Sequence, residues 1–397
     1  VSNLDPLGKM IEHGFHITGV VPNNEAIVAV AQKVLGVETM SILVVGLLMN
    51  LCIARFTKFK YVFLTGHHSL FMACLMSAVL GTAGLSGMEL ILVGGFLMGA
   101  WSAISPAIGQ SYTSKVTDGD EIAIGHFGSL GYYLSAWVAK YVGKAEDSTE
   151  DIEIPEKWGF LRDSTLSTAL TMIVFYLIAA FAAGSEFVAT LSGDMSPYLY
   201  AVMSAMNFAV GVTIVYSGVR MILGDLIPAF QGIATKIIPN AIPAVDCAVF
   251  FTYAPTAVVL GFLSSFIGGI IGMLILGAVG GVLIIPGLVP HFFCGATAGI
   301  YGNATGGRRG AAVGAFLNGL AITFLPALAL PVLGQLGFQN TTFGDADFAV
   351  MGLVLGNAYE WVGMAGIYGI VAIAALVLIV PNFIKTKGKV INYVEED

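Results

Sequence analysis

The sequence places one carboxylate, Asp246, in an apolar stretch that is rich in proline. Pro239 and Pro243 precede it and Pro255 follows it. A carboxylate at bilayer depth costs about 2.5–3.5 kcal/mol and therefore normally faces a cavity or a partner. Prolines interrupt helical hydrogen bonding and leave backbone groups free to line a site. We predict that Asp246 accepts hydrogen bonds from substrate hydroxyls, and capping of a broken helix is the structural alternative.

Other polar residues also lie beside breaks in the apolar pattern. Glu25, with Asn24 before it, is open to a substrate role and to a structural role. His67 and His126 each follow a glycine, although a histidine in such a place is more often a satisfied core residue. The sequence lacks the HxxxH and HExxH metal patterns and the GxxxxGK[ST] and GxGxxG phosphate loops. We therefore predict neither a metal nor a nucleotide cofactor, and no covalent catalysis by this chain.

The elements that must position these residues are membrane helices. The chain has 397 residues, of which 57% are hydrophobic and 11% charged, whereas soluble domains carry about 25% charged residues. A net charge of −8 argues against a nucleic-acid partner. Four long segments contain no Asp, Glu, Lys or Arg: 164–185, 247–290, 310–343 and 361–384. Because about 20 apolar residues span a bilayer, we predict an all-α, polytopic integral membrane protein.

The hydrophobic pattern predicts about nine spans. They cover residues 39–55, 61–80, 88–106, 164–183, 198–219, 258–281, 285–303, 310–330 and 361–381. Lys and Arg collect in alternate connections, which orients the set with the C-terminus in the cytoplasm of a bacterial inner membrane. The aromatic segment 127–141 is then expected to lie at the interface or to dip into it.

An internal repeat is the most informative organisational signal. Four pairs of landmarks recur at nearly one spacing: Pro6 and Pro228, Glu25 and Asp246, His67 and His291, and Glu121 and Asp347. The basic residues after the matching spans lie on opposite sides, so the two copies are inverted. Inverted repeats with broken or re-entrant helices are typical of transporters, whose substrate site lies between the repeats.

The repeat also predicts the domain organisation. Residues 1–145 form the first copy, 146–197 an acidic cytoplasmic loop plus a connecting span, and 198–397 the second copy and a cytoplasmic tail. A full span precedes Pro228 but not Pro6. We therefore expect at least one helix upstream of Val1.

Several motifs resemble the ascorbate-type enzyme IIC permease of the bacterial sugar phosphotransferase system. They lie at residues 237–248 (IIPNAIPAVDCA), 253–255 (YAP), 64–67 (LTGH), 116–119 (VTDG), 124–126 (IGH), 284–287 (IIPG) and 306–308 (GGR). The resemblance implies a homodimer in the lipid bilayer, with a core domain that holds the sugar and a V-shaped scaffold. It also implies that a separate IIB protein, itself served by IIA, phosphorylates the sugar at the cytoplasmic side.

The resemblance places Asp246, His67 and His126 at or near the sugar. The sequence departs from the ascorbate pattern at other positions. Phe71 and Phe127 stand where that pattern has glutamine, and Asn24-Glu25 stands where it has Thr-Tyr. These seven residues form the predicted substrate site, and the departures are expected to change which hydroxyls are recognised.

The sequence supports three functional hypotheses. The first is a sugar-translocating IIC subunit for ascorbate or a related sugar acid or sugar. The second is an ion-coupled secondary transporter of a small polar solute, in which the acids would bind H⁺ or Na⁺. The third is a membrane scaffold or sensor without flux, which poorly explains polar, proline-broken segments inside an inverted repeat.

Overall fold

The architecture comes from a computed structural model, which describes residues 5–16, 18–22, 24–119, 122–152, 164–334 and 341–384. Helices dominate, as expected from the apolar composition. They are α1 Asp5–Gly14, α2 Asn24–Phe56, α3 Gly66–Thr82, α4 Gly87–Val116, α5 Ser129–Val142, α6 Ser164–Ala183, α7 Ser185–Ser192, α8 Pro197–Lys236, α9 Cys247–Phe250, α10 Pro255–Ala278, α11 Leu288–Gly334, α12 Ala346–Val362 and α13 Met364–Ile379. A short 3₁₀ helix, Val380–Phe383, follows α13.

Six helices of the described residues are long and apolar enough to cross a membrane. A seventh candidate is the pair formed by residues 168–183 and Ser185–Ser192, which bends by 117°. Large side chains such as Phe181, Leu274 and Ile373 are more than 60% exposed on the outer surface. Exposed apolar surface on this scale is suited to lipid. The chain is therefore a multi-pass, all-α membrane protein, as predicted. The number of nine spans stays a prediction.

The structure changes one predicted span and places a helix break between two others. Residues 61–80 are not one helix, because an extended segment at Tyr61–Phe63 precedes α3. The predicted spans 285–303 and 310–330 lie on the two sides of a break in α11 at Gly306 and Gly307. Gly307 has φ 61°, a conformation that favours glycine.

Five short strands, β1 Val21–Pro22, β2 Tyr61–Phe63, β3 Ala123–Ile124, β4 Ile242–Val245 and β5 Thr341–Thr342, hold the centre of the molecule together. β4 lies between β2 and β3, and all three run parallel. β1 pairs in parallel with β5, and Val20 forms a parallel bridge with Ile284. β4 therefore comes from the second predicted repeat, and its neighbours β2 and β3 come from the first. In the same way, β1 of the first repeat pairs with β5 of the second. Strand pairing between the two copies is what an inverted repeat would produce. The predicted domain boundaries at residues 145 and 197 stay predictions.

Two large hydrophobic clusters pack around these strands. One is built mainly on α5, α6, α10 and α11, and the other on α2, α3, α4 and α12. The aromatic segment predicted to lie at or dip into the interface becomes α5. This helix starts directly beyond β3 and packs mainly against α11. The strands therefore end, and the neighbouring helices begin, inside the packed protein.

Candidate functional site

The carboxyl ends of β2, β4 and β3 bring three predicted site residues together. His67 lies in the first turn of α3, Asp246 directly follows β4, and His126 follows β3 by two residues. The strands are held in register by backbone bonds from Leu64 N to Ala244 O and from Gly125 N to Val245 O. Because the strands are parallel, their carboxyl ends meet at the same edge.

Asp246 faces both histidines across gaps too long for a direct hydrogen bond. Its Oδ2 lies 3.6 Å from His67 Nε2, and its Oδ1 lies 4.0 Å from His126 Nε2. The side chains of His67 and Asp246 are 54% and 35% exposed, whereas that of His126 is 4% exposed. The three residues therefore form one wall of the site, which is solvent-exposed at His67 and buried at His126.

The hydrogen bonds of His126 fix which ring nitrogen carries the proton. Its Nδ1 accepts from the backbone N of Gly128 at 3.2 Å and lies 2.7 Å from the Tyr132 hydroxyl. A backbone N–H can only donate, so Nδ1 is the acceptor and the neutral ring carries its proton on Nε2. This nitrogen lies 4.0 Å from Asp246 Oδ1. His126 is therefore a hydrogen-bond donor to whatever lies beside Asp246.

His68 is a buried residue that packs against His126 of this wall. Its Nδ1 accepts from Phe127 N at 3.3 Å, so its proton is also on Nε2. The ring of His68 is buried, and its centroid lies 3.8 Å from that of His126. His68 was not among the predicted site residues, although it directly follows His67 at the same helix start.

Two groups of side chains in this region have metal-binding atoms within 4.8 Å of one another: His68, His126 and Asp345, and His126, Asp246 and Cys247. A metal ligand needs a ring nitrogen with a free lone pair. Both rings use Nδ1 to accept backbone N–H groups and keep a proton on Nε2. The donor set therefore suits a ligand with hydrogen-bond acceptors better than a cation.

Asn24 meets a second buried carboxylate, that of Asp345. Its amide Nδ2 donates to Asp345 Oδ2 at 2.8 Å, and its Oδ1 accepts from Gly344 N at 3.1 Å. Asp345 also accepts from the Cys294 thiol at 2.8 Å. Both polar atoms of Asn24 are engaged, so its geometry suits positioning better than direct sugar contact. Asp345 was not among the predicted site residues, because a buried contact with Asn24 leaves no local sequence signal.

The two predicted aromatic contacts occupy different environments. Phe71 is half-buried, and its ring meets the exposed ring of His67 edge-on at 5.9 Å between centroids. The Phe127 ring is fully buried and stacks on Phe63 at 4.5 Å. The structure therefore brings Phe71, but not the ring of Phe127, to the open end of the wall. The backbone of Glu25 lies in the first turn of α2, and its side chain lies outside the described residues.

Comparison with known proteins identifies the family of this chain. Residues 1–347 match the family model of the PTS system sugar-specific permease component. The chain is also similar to the ascorbate-specific PTS system EIIC component of Mycoplasma pneumoniae, with 27% identity over 343 residues. That match covers 76% of this chain and 51% of the relative, so the chain spans about half the length of the curated relative. Since the family model matches most of the sequence, this chain belongs to the family of PTS sugar-specific permease components.

Proposed function

We propose that this chain is the sugar-translocating IIC subunit of a phosphotransferase system and that its substrate is ascorbate or a related sugar acid or sugar. The observation that carries the proposal is the geometry at Asp246. An acceptor faces two histidine rings across gaps of 3.6 and 4.0 Å. A sugar hydroxyl both donates and accepts, so one hydroxyl oxygen beside the wall satisfies Asp246 and His126 together.

Helix N-termini supply further electrostatic support for an oxygen-rich ligand. α3, α5, α2 and α12 all begin beside the strand ends. The N-terminus of a helix carries about half a positive charge and favours anionic or electronegative groups. This field offsets the negative charge of Asp246 and Asp345. It makes the binding of a sugar acid compatible with a wall that contains a carboxylate.

The remaining parts of the proposal concern partners and orientation. The family description and the ascorbate-specific relative support a sugar substrate that is phosphorylated by IIB, with IIA as the upstream component. We further propose a homodimer in the bacterial cell membrane with a cytoplasmic C-terminus. In this scheme the chain positions the sugar, and the covalent chemistry belongs to IIB.

A binding screen tests the substrate site. Purified protein is titrated with ascorbate, pentoses and alditols, and the best ligand is then measured with Asp246→Asn. Loss of a hydrogen bond to a charged group is worth about 1.5–3 kcal/mol, so the variant is expected to bind roughly tenfold to a hundredfold more weakly. Asp194→Asn, which changes an exposed carboxylate in the turn between α7 and α8, is the matched control and should bind normally. Unchanged affinity in Asp246→Asn would show that Asp246 is not a substrate contact.

Uptake into vesicles distinguishes the three functional hypotheses. Group translocation delivers phosphorylated sugar and stops when IIB is omitted. An ion-coupled transporter delivers unmodified solute and responds to the H⁺ or Na⁺ gradient. A scaffold or sensor gives no uptake. Accumulation of unmodified sugar without IIB, driven by an ion gradient, would overturn the proposal.

A further inference from the structure

Asp347 is a fully buried carboxylate that the proposed sugar contacts do not use. Its Oδ1 accepts from Leu130 N at 2.9 Å, and its Oδ2 accepts from Ser129 Oγ at 2.8 Å and from Trp101 Nε1 at 3.2 Å. Its own backbone N donates to Phe127 O at 2.9 Å. Asp347 lies in the first turn of α12, and Ser129 begins α5. The carboxylate therefore joins the N-termini of two helices that belong to different predicted repeats.

Three hydrogen-bond donors, and not a cation, surround the carboxyl group of Asp347. Among the described residues, no lysine or arginine forms an ion pair with it. A carboxylate at the N-terminus of α5 is favourable because the first backbone N–H groups of a helix have no partner within the helix. Asparagine has nearly the same shape but presents an NH₂ group on one side. If the asparagine oxygen still accepts from Leu130 N, its NH₂ group faces the indole N–H of Trp101. The indole can only donate, so two donors would then meet.

The turn that Asp347 holds also orients His126. The two groups at His126 Nδ1 are the backbone N of Gly128 and the hydroxyl of Tyr132. These two residues flank Ser129 and Leu130 in the sequence. A shift of this turn would move both partners of Nδ1 at once, and the Nε2–H of His126 would lose its fixed direction.

We propose that Asp347 is a positioning residue for the sugar site. It fixes the first turn of α5 and thereby aims the Nε2–H of His126 at the bound sugar. The inference rests on the proposed function and gives Asp347 no contact with the sugar. It also gives a role to a residue that the sequence marked only as a landmark of the repeat.

A double-mutant cycle on ligand affinity tests the proposal. Asp347→Asn, His126→Gln and the double variant are titrated with the ligand found in the screen. Asp347→Asn is expected to weaken binding about tenfold when His126 is present and less than twofold when His126 is already replaced, because coupled residues are not additive. An equal loss in both backgrounds, or no loss in either, would overturn the positioning role.

A ligand-free measurement separates this inference from the proposed function. In protein labelled with ¹⁵N-histidine, the signal of His126 is assigned by its absence in His126→Gln. The wild type is expected to show the Nε2–H tautomer, and Asp347→Asn is expected to show a mixture of tautomers. An unchanged tautomer in Asp347→Asn would refute the inference. If the wild type binds none of the sugars tested, the proposed function has failed, and this signal alone decides the role of Asp347.

Two more variants guard against a general loss of folding. Ser129→Ala removes one donor to Asp347 and leaves the hydrogen bond from Leu130 N, so it is expected to weaken sugar binding about threefold. If Asp347→Asn does not fold, this variant tests the positioning role in its place. Glu150 is the matched control, because its carboxylate accepts from the backbone N of Thr256 and Ala257 at the start of α10. Glu150→Gln should leave the His126 tautomer unchanged, and a mixture there would contradict a specific action of Asp347.

Discussion

Replacing Asn24 by aspartate tests the buried contact that joins the start of α2 to the loop before α12. The substitution keeps an oxygen for Gly344 N but replaces the donor to Asp345 by an acceptor at 2.8 Å. Two ionised carboxylates at that distance repel by about 6 kcal/mol at an effective dielectric constant of about 20. Binding one proton at about pH 7 costs only about 4 kcal/mol, because the reference pKa of a carboxyl is about 3.9. Proton uptake is therefore the smaller penalty, and we expect the folded variant to share one proton between the two side chains.

The direction in which the stability of Asn24→Asp changes with pH can be predicted. The folded variant holds one proton that the unfolded chain releases above about pH 4, so the stability of the variant falls as pH rises, by about 1.4 kcal/mol per pH unit. Thermal unfolding in detergent is compared between about pH 5 and pH 8 for the wild type, Asn24→Asp and Asn24→Ala. The alanine variant loses both bonds without gaining a carboxylate. Its loss of about 3 kcal/mol should not change with pH.

The pH dependence is the decisive part of this experiment. If Asn24→Asp is destabilised equally at both ends of the pH range, the variant has not brought two carboxylates together. If it is as stable as the wild type throughout, Asn24 does not hold Asp345 in the protein. Either result would refute the contact and with it the assignment of Asn24 to positioning.

Two further predictions concern packing and specificity. Gly261→Ala is expected to lower the thermal unfolding temperature, because its Cβ would lie 2.5 Å from the backbone oxygen of Gly295 where α10 meets α11, and overpacking costs about 1–3 kcal/mol. Gly211→Ala in α8 meets no atom within 4 Å and should raise the unfolding temperature slightly, so equal effects of the two would contradict the close helix contact. Phe71→Gln places an amide beside His67 and is expected to improve binding of ascorbate relative to alditols by about fivefold, since a new hydrogen bond is worth about 1 kcal/mol. Unchanged relative affinities across the panel would exclude Phe71 as a specificity residue.

The sequence predicted the membrane class because that property depends on composition and on the length of apolar segments, which are local. It also located the breaks, since the prolines around Asp246 and the glycine before His67 act on the backbone where they stand. The structure confirms that α3 begins at Gly66. Span boundaries were less predictable: α12 was not expected, and the predicted span 61–80 begins with an extended segment at Tyr61–Phe63 before α3.

By itself, the sequence determined that the chain is a helical membrane protein and which polar residues stand beside its breaks. It did not determine how those residues are paired. Strands of two to four residues have almost no sequence signal, and β4 pairs with partners more than a hundred residues away. Tertiary structure alone decided that Asp246 faces two histidines, that Asn24 is occupied by Asp345, and that Asp347 holds α5. The physical reason is that buried polar groups must find hydrogen-bond partners, and these partners lie in the other half of the chain.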